Sequence, residues 1–304
     1  MSPLRYAAVT PARNEAANLQ RLADSLLAQT LAPAAWVIVD DGSVDETLEL
    51  ARSLERRYSW ISALCLAPPD GPLELGRREG RDVVAFSAGV DTLDAAPDVV
   101  VKLDADVSLP PEFFQRLLAE FVVRPRLGIA SGVCYEEEGT TWREQPATGA
   151  HSRGATRAYR RECLEDVRPL VCRLGWDGID ELEAGLKGWE TGTVRELPFF
   201  HHRRLAEREG RRRDAWTAQG RAAHFVGYRP SYLFARALFR ARREPAALAM
   251  IWGYAGAALR GEPQYANTAA RHALRSTQRL SELPRRSREA RSRRTLSGAR
   301  GASE

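Results

Sequence analysis

The stretch WVIVDDGSVDET, Trp36–Thr47, joins an apolar run to a pair of carboxylates and then to a helical pattern. Its first four residues are apolar or β-branched, which is typical of a buried strand. Asp40 and Asp41 follow directly, and because adjacent carboxylates repel each other, we expect the fold to use at least one of them. Ser43 and Glu46 fit a capping box that opens a helix. The segment therefore predicts a strand, a functional loop and a helix in succession.

Strand-like runs and helical patterns alternate through the first part of the chain. Helix-spaced apolar residues follow each of four apolar runs, Arg5–Thr10, Trp36–Val39, Ile61–Leu66 and Val99–Leu103. This alternation predicts an α/β fold with a mostly parallel sheet and flanking crossover helices. Such sheets bind ligands beyond the carboxyl ends of their strands. We therefore expect Asp40-Asp41 and Asp104-Ala105-Asp106, which follow two of these runs, to face one crevice.

The second half of the chain is less regular. It predicts strands at 127–135, 155–159 and 193–200, a helix at 179–190, and a helical region at 203–259 that is interrupted by Pro230 and Pro245. The expected organisation is an α/β body (1–202), a C-terminal helical, membrane-associating extension (203–265) and an Arg-rich, disordered tail (266–304).

The composition is that of a globular protein with an uneven charge distribution. The 304 residues are 44% hydrophobic and 28% charged, enough for one sizeable core and an appendage. The net charge is +5, but residues 268–304 carry ten arginines against three acidic residues, so the positive charge belongs to the tail. The four cysteines show no CxxC spacing, which favours reduced thiols over a disulfide framework or a zinc site. The first residues show no pattern of a secretory signal.

Asp104 and Asp106 place two carboxylates two residues apart in a turn after a predicted strand. Oxygens in this arrangement can bind a hard divalent cation such as Mg²⁺ or Mn²⁺, which commonly bridges to a diphosphate. Two solvated loop acids would give the same pattern. His201 and His202 end another predicted strand, where an imidazole could complete a metal shell or contact a phosphate, although paired histidines also occur as plain surface residues.

Acidic residues crowd the segment Gly175–Trp189, GWDGIDELEAGLKGW. The helix dipole stabilises carboxylates at a helix start, so capping alone would account for Asp180 or Glu183. A catalytic base, however, needs a carboxylate on a cleft wall beside an acceptor hydroxyl, and this segment supplies candidates. Trp176 is expected to offer a platform for the face of a sugar.

These segments resemble the family 2 glycosyltransferases with the GT-A fold, and the resemblance covers Arg5 to His202. Residues 9–15, VTPARNE, resemble the family's first-strand motif, and the segments DDGS and DET within 40–47 closely match its most distinctive stretch. LDAD at 103–106 is similar to its metal motif. Asp180-Glu181 falls on the family's acidic pair, with Glu181 at the base position, but the family order is often Glu-Asp. The choice of base between the two therefore stays open.

The resemblance implies a Rossmann-like domain that binds a nucleotide sugar, and it implies roles for the matched residues. Asp41 would hydrogen-bond the nucleotide base, and the backbone around Pro11, Ala12, Asn14 and Glu15 would cradle the base and ribose. Asp104 and Ala105 would lie near the ribose and metal, with Asp106 as a direct metal ligand beside His201. Arg77 or Arg78 would reach the diphosphate. Independently of the resemblance, Trp176 and Asp177 are expected to contact the acceptor.

The implied activity is a metal-dependent, inverting transfer of a sugar, most commonly from a UDP-sugar, to a hydroxyl acceptor. The segments WDGIDELEAGLKGW and HHRR and the helix with Trp216, Gln219, Gly220 and Arg221 resemble a bacterial subgroup associated with surface polysaccharide or glycolipid assembly. The QxxRW motif of processive enzymes is absent from the sequence, which argues against a polymerising synthase.

Four alternatives are weighed against this interpretation. A dinucleotide oxidoreductase needs a Gly-rich turn after the first strand, where this chain has TPARNE, so that class is excluded. A sugar nucleotidyltransferase usually has a Gly-rich loop with arginine near its start and is disfavoured. A non-catalytic, membrane-associated scaffold is opposed by the intact acidic motifs. A hydrolase would also need a second carboxyl group as acid, since it lacks an activated leaving group.

The C-terminal region suggests contact with a membrane surface. Ala246–Leu259 is a 14-residue apolar run, shorter than the roughly 20 residues that span a bilayer. Aromatic residues mixed with arginines upstream, at 232–243, suit an interface, although a packed helix would also explain the run. We expect a cytoplasmic protein, peripheral on the inner face of the plasma membrane, with a lipid-linked or glycan acceptor. The tail has no aromatic residues, so nucleic acid is not an expected partner.

Overall fold

A single ten-stranded sheet organises the part of the chain that the computed structural model describes, residues 4–66, 80–93, 97–145, 151–202, 212–242, 244–279, 281 and 295–297. The strands are β1 Tyr6–Ala12, β2 Ala35–Asp40, β3 Ile61–Cys65, β4 Val99–Leu103, β5 Val107–Ser108, β6 Leu127–Glu138, β7 Thr141–Glu144, β8 Thr156–Arg160, β9 Glu190–His201 and β10 Thr295–Ser297. The helices of the body are α1 Ala16–Leu27, α2 Thr47–Arg57, α3 Arg81–Asp91, α4 Phe113–Val123, α5 Arg161–Val167 and α6 Trp176–Leu186.

The first four strands are parallel, as the alternation predicts. Their order is β3-β2-β1-β4, so the chain leaves β1 toward β2 and returns on the other side of β1 as β4. In α/β sheets, such a reversal of strand order marks the place along the carboxyl edge where ligands bind. The loops that follow β1, β2 and β4 meet at that edge.

The second half extends the same sheet. β8 pairs antiparallel with β4, β6 pairs antiparallel with β8 and β7, and β9 runs parallel to β6. β5 pairs antiparallel with the end of β9. This pairing brings residues near position 201 beside those near position 106.

Both faces of the sheet are covered by apolar helix surfaces. Helices α1, α2 and α4 pack on one face around Trp36, Ile38 and Val101. Helices α3, α5 and α6 pack on the other around Val9, Val37 and Val39. Because successive strand residues point to opposite faces, the continuous apolar runs of β1, β2 and β4 are what a sheet covered on both sides requires.

In the described residues after position 202, four helices follow the body, α7 Arg212–Val226, α8 Pro230–Ala241, α9 Ala249–Leu259 and α10 Thr268–Thr277, with a 3₁₀ turn at Pro245–Leu248. Ala223, Leu233, Ala237 and Met250 form their small core. Among the helices described, none combines the length and apolar character needed to cross a bilayer.

Three local predictions need correction. Ser43 and Glu46 do not form a capping box: the Ser43 hydroxyl accepts from the Asn14 amide, and α2 begins at Thr47, whose amide donates to the Asp45 carboxylate at 3.0 Å. Helix α6 occupies 176–186, not 179–190, because Gly188 adopts φ +83° just beyond it and breaks the helix. Residues 268–277 of the predicted disordered tail form a helix, which the Asn267 side chain caps by accepting from two backbone amides.

Candidate active site

The loops after β1 and β2 are joined to each other at the carboxyl edge. Asn14 adopts a left-handed conformation, φ +54°, and its side-chain oxygen accepts from the Val44 amide at 2.9 Å. The Glu15 amide donates to the Thr47 hydroxyl at 2.8 Å, and the Asp41 amide donates to the Ala12 carbonyl at 2.9 Å. These bonds fix one continuous rim beside Pro11, the penultimate residue of β1.

Asp41 on this rim is paired with a residue that the sequence interpretation did not include. Its carboxylate accepts two bonds from the guanidinium of Arg81, the first residue of α3. Gly80 before it has φ +75°, and a Cβ there would lie 2.2 Å from the Cys172 carbonyl carbon, so a glycine is required to place Arg81. Arg77 and Arg78, the predicted diphosphate contacts, lie outside the described residues.

Asp104, Asp106 and His201 form a candidate metal site. Asp104 and Asp106 follow β4, Ala105 between them is buried, and the β5–β9 pair brings His201 alongside. One ligand atom from each of the three side chains lies within 4.8 Å of the others, and His201 Nε2 is 3.3 Å from an Asp106 carboxylate oxygen. Two carboxylates and an imidazole are a donor set that suits Mg²⁺ or Mn²⁺, so the residues fit the predicted cation.

The neighbouring His202 has a different environment. Its Nε2 lies 2.7 Å from the Ser108 hydroxyl, and its ring makes an edge contact with Trp142. Burial lowers the pKa of His202 to about 4, so this imidazole is neutral at physiological pH. The two histidines therefore separate into one that faces the acidic residues and one that packs between neighbouring strands.

Two buried cations lie side by side beneath the site. Lys102 on β4 and Arg157 on β8 are directly paired residues of adjacent antiparallel strands, and both side chains are buried. Like charges opposite each other are unfavourable, so each needs acidic partners. Lys102 Nζ contacts Asp104 at 2.6 Å and Asp82 at 3.4 Å. The lysine inside the apolar run VVVKL is a sequence signal for this role that the interpretation did not use.

Trp176 packs against these two cations. Lys102 Nζ lies 5.6 Å and Arg157 Cζ 5.5 Å from its ring centroids, and its side chain is 6% exposed. Trp176 is therefore too buried to serve as the predicted sugar platform, because the first turn of α6 directs its ring into the protein. Asp177, the other predicted acceptor contact, is half-buried, with its carboxylate 4.0 Å from His151.

Arg157 divides the acidic pair into two different environments. Asp180 is buried and accepts two bonds from Arg157, at 2.6 and 3.0 Å, and one from the Tyr159 hydroxyl at 2.5 Å. Burial raises the pKa of Asp180 to about 7, against the opposing attraction of Arg157. Glu181 lies nearer the surface, with its side chain 14% exposed, and takes longer bonds of 3.2 Å from the same guanidinium.

Glu181 has two further partners in the segment before β8. The Ser152 amide donates to one of its oxygens at 2.7 Å, and His151 Nδ1 lies 3.1 Å from the other. The Glu181 carboxylate raises the pKa of His151. No spacing in the sequence connects positions 151 and 181, so this contact was not predictable from local pattern.

A chain of contacts connects the predicted site residues. Asp41 binds Arg81, the adjacent Asp82 contacts Lys102, and Lys102 binds Asp104. Lys102 also lies over Trp176, which leads through Arg157 to Asp180 and Glu181. The acidic motifs, far apart in sequence, therefore gather around one buried cationic pair at the carboxyl edge.

The chain belongs to glycosyl transferase family 2, whose family model matches residues 7–181. The predicted resemblance, and with it a glycosyltransferase domain, is confirmed.

Two curated relatives illustrate the match. The undecaprenyl-phosphate 4-deoxy-4-formamido-L-arabinose transferase of Pseudomonas aeruginosa is 33% identical over 153 residues, which cover 45% of this chain and 40% of that protein. The uncharacterized glycosyltransferase alr2836 of Nostoc is 28% identical over 183 residues, 52% of this chain and 51% of that protein. The chain thus spans between two fifths and about half of the length of these relatives.

Solved structures share the fold at low sequence identity. The mannosyltransferase PcManGT from Pyrobaculum calidifontis, in complex with GDP-Man and Mn²⁺, has a TM-score of 0.54 at 16% identity, covering 95% of this chain and 85% of that one. GalNAc-T7 with UDP, GalNAc and Mn²⁺ has a TM-score of 0.56 at 15% identity, covering 81% and 52%. The predicted GT-A fold is confirmed.

Proposed function

We propose that this protein is a metal-dependent, inverting glycosyltransferase that moves a sugar from a nucleoside diphosphate to a hydroxyl acceptor. The observation that carries the proposal is the convergence on one sheet edge of a three-ligand group for a hard cation and a partly exposed carboxylate. A donor with an activated leaving group needs one base on the acceptor side and no acid, and the edge offers this set.

The donor is proposed to bind along the rim after β1 and β2. Pro11, Ala12, Asn14 and Glu15 would enclose the base and ribose, and Asp41 would bind the base while sharing its carboxylate with Arg81. Asp104 and Ala105 would lie beside the ribose. A UDP-sugar is the preferred candidate, and Arg77 and Arg78 remain proposed diphosphate contacts.

Asp104, Asp106 and His201 are the residues proposed to hold the cation. Mg²⁺ or Mn²⁺ bound there would neutralise the negative charge that develops on the departing diphosphate. Lys102 fixes the orientation of Asp104 through their 2.6 Å contact and keeps a positive charge beneath the site. The structures of GalNAc-T7 and PcManGT, both with Mn²⁺, support a divalent cation in this fold.

Glu181 is the proposed base, and Asp180 is a positioning residue. The carboxylate of Glu181 would take the proton from the acceptor hydroxyl while the oxygen of that hydroxyl bonds to the anomeric carbon. The bond from that carbon to the diphosphate oxygen breaks with its electron pair, which inverts the configuration in one step. Asp180 is committed to Arg157 and Tyr159, so it holds the Glu181 segment in place.

The acceptor is proposed to be lipid-linked, in surface polysaccharide or glycolipid synthesis at the cytoplasmic face of the membrane. A relative whose name specifies undecaprenyl phosphate supports this choice. The helical extension exposes large apolar side chains, with exposed fractions of 53% for Phe234, 45% for Leu238, 77% for Trp252 and 89% for Leu259. Arg242, directly after the helix that carries Phe234, is exposed, which suits an anionic bilayer surface.

A thermal-shift screen of nucleoside diphosphates and nucleotide sugars with Mn²⁺ tests the donor site. Selective binding at a hundred times Kd would stabilise the protein by about 2.7 kcal/mol, and the Mn²⁺-dependent part should vanish in Asp106→Asn. Slow hydrolysis of the selected sugar nucleotide should accompany the shift. Stabilisation without turnover of any donor would favour the scaffold alternative, and no stabilisation at all would contradict the donor site.

Vesicle sedimentation tests the membrane surface. The full chain should pellet with anionic phosphatidylglycerol vesicles, and the double variant Phe234→Ser and Trp252→Ser should stay in the supernatant. Val123→Ser, which removes a 76% exposed apolar side chain from α4, is the matched control and should still pellet. Equal pelleting of all three proteins would contradict the proposed surface.

A further inference from the structure

His201 lies between acidic groups on both sides of its ring. Nε2 is 3.3 Å from Asp106 and belongs to the hard-cation group. Nδ1 is 3.8 Å from the Glu136 carboxylate on β6. A neutral imidazole has one nitrogen with a free lone pair and one that carries a proton, so it can give a lone pair to one side only.

Cys134 and Glu136 form a second set of donors with the same histidine. Cys134 and Glu136 are two residues apart on β6 and therefore project from the same face, and the parallel register places Glu136 beside His201. Ligand atoms of Cys134, Glu136 and His201 lie within 4.8 Å of one another. Cys134 is buried and forms no disulfide, whereas the Glu136 side chain is 21% exposed.

We propose that Cys134, Glu136 and Nδ1 of His201 form a second cation site, selective for thiophilic divalent ions such as Zn²⁺. A sulfur, a nitrogen and a carboxylate oxygen are the donor types that Zn²⁺ takes, whereas Mg²⁺ and Mn²⁺ prefer the oxygen-rich group with Asp104 and Asp106. The sequence favoured no cysteine-based zinc site because it has no CxxC spacing. That spacing does not detect a group of ligands that lie on two different strands.

The two sites are mutually exclusive because they share His201. A cation on Nε2 leaves the proton on Nδ1, where it faces Glu136. A cation on Nδ1 moves the proton to Nε2, where it faces Asp106, and the hard-cation group loses its nitrogen donor. Binding of Zn²⁺ also releases the Cys134 thiol proton to solvent as the sulfur–metal bond forms. A thiophilic metal is therefore expected to antagonise Mn²⁺ without occupying its position.

Cd²⁺ alone, added to the metal-free full chain, tests the site by the ultraviolet absorption of its thiolate complex. The wild type should show a saturable band that is lost in Cys134→Ser. Cys65→Ser is the matched control, because it removes an exposed free cysteine at the end of β3 and should keep that band. A band of equal intensity in Cys134→Ser would overturn the proposal, since the sulfur would then come from another cysteine.

Release of Mn²⁺ tests the shared imidazole. Cd²⁺ should expel bound Mn²⁺ from the wild type, and the released ion is measured by its electron paramagnetic resonance. In Cys134→Ser, Mn²⁺ should stay bound. Equal expulsion from both would mean that Cd²⁺ simply replaces Mn²⁺ on the aspartates, which contradicts the exclusive arrangement. Neither measurement uses a sugar donor, so failure of Mn²⁺ to bind would count against the proposed hard-cation site while the thiolate band still decides this one.

Discussion

At the scale of single residues, Arg157 explains how two adjacent carboxylates coexist. Its buried guanidinium binds Asp180 through two short bonds and Glu181 through two longer ones. Loss of Asp180 would leave the buried charge of Arg157 uncompensated. Glu181 lies nearer the surface, where a carboxylate can exchange a proton with a ligand. The same cation therefore gives the two neighbours different environments, and this difference is the basis for proposing Glu181 as the base.

Substitution of each carboxylate should separate these duties. Glu181→Gln is expected to lower kcat by about 10²–10⁴-fold with little change in Tm, because it removes proton acceptance and keeps the shape. Asp180→Asn is expected to destabilise the protein by about 3 kcal/mol, because Arg157 loses its main counter-charge. Donor turnover and thermal unfolding, measured on both variants, check this. A large drop in Tm for Glu181→Gln with unchanged kcat would reverse the assignment.

The pH dependence of stability should report the contact between His151 and Glu181. Because Glu181 raises the pKa of His151 above its ordinary 6.5, the native state binds this proton more tightly than the unfolded state. The stabilisation is complete below pH 6.5 and is lost as pH rises through the raised native value. The Tm difference between wild type and His151→Gln should therefore shrink on the alkaline side of 6.5. A difference that grows with pH would contradict the contact.

At the scale of elements, α7 and α9 approach each other backbone to backbone. A Cβ added to Gly220 would lie 2.1 Å from the Met250 carbonyl oxygen, and one added to Gly253 would lie 2.0 Å from the Thr217 carbonyl oxygen. These two glycines allow the extension to pack closely although its core contains few large buried side chains.

Gly253→Ala should force α7 and α9 apart and cost about 1–3 kcal/mol of stability. Gly256→Ala in the same helix is the matched control, because its Cβ would meet only the flexible end of Arg260, at 3.1 Å. That control should gain up to about 1 kcal/mol from the better helix propensity of alanine. Urea unfolding distinguishes them, and equal effects of the two substitutions would rule out close helix packing as the cause.

The elements of the first half were predictable because their signals are local. Each apolar run of β1, β2 and β4 is followed by helix-spaced leucines or phenylalanines, and the chain order alone implies parallel strands. Helix 268–277 was missed because the arginines around it suggest disorder, while its stability comes from distant contacts. Arg275 donates to the Gly227 carbonyl, and Gln278 accepts from the Arg229 amide.

The site was predictable only where a motif keeps its residues together. Asp104 and Asp106 are two residues apart, so one turn presents both. The partners that orient the acidic pair, Arg157 and His151, lie more than twenty residues away and become neighbours only through the β8–β4 pairing and the fold of α6. A local pattern cannot identify such pairs, because nothing in an alternating strand marks which buried arginine will find a carboxylate.

At the scale of the whole molecule, the extension is attached to the helix that carries the proposed base. Glu183 on α6 accepts from the Tyr265 hydroxyl at 2.8 Å and from the Asn267 side chain at 2.7 Å. Asn267 also caps α10, so one short segment connects α10 to α6. Glu181 lies two residues before Glu183 on the same helix. We therefore expect the folding of the C-terminal helices to affect the position of Glu181, the proposed base.

Tyr265→Phe tests this coupling, because it removes one hydroxyl and little else. We expect a loss of about 1 kcal/mol, faster hydrogen exchange in residues 268–277 and a lower kcat, while exchange in β1–β4 stays unchanged. Glu262→Gln is the matched control: its surface pairs with Arg221 and Arg260 do not reach α6, and exposed pairs contribute little. If Tyr265→Phe loosened α10 and left kcat at the wild-type value, the extension would be an independent appendage. If exchange stayed protected in α10, packing and not the Glu183 bond would hold it against the body.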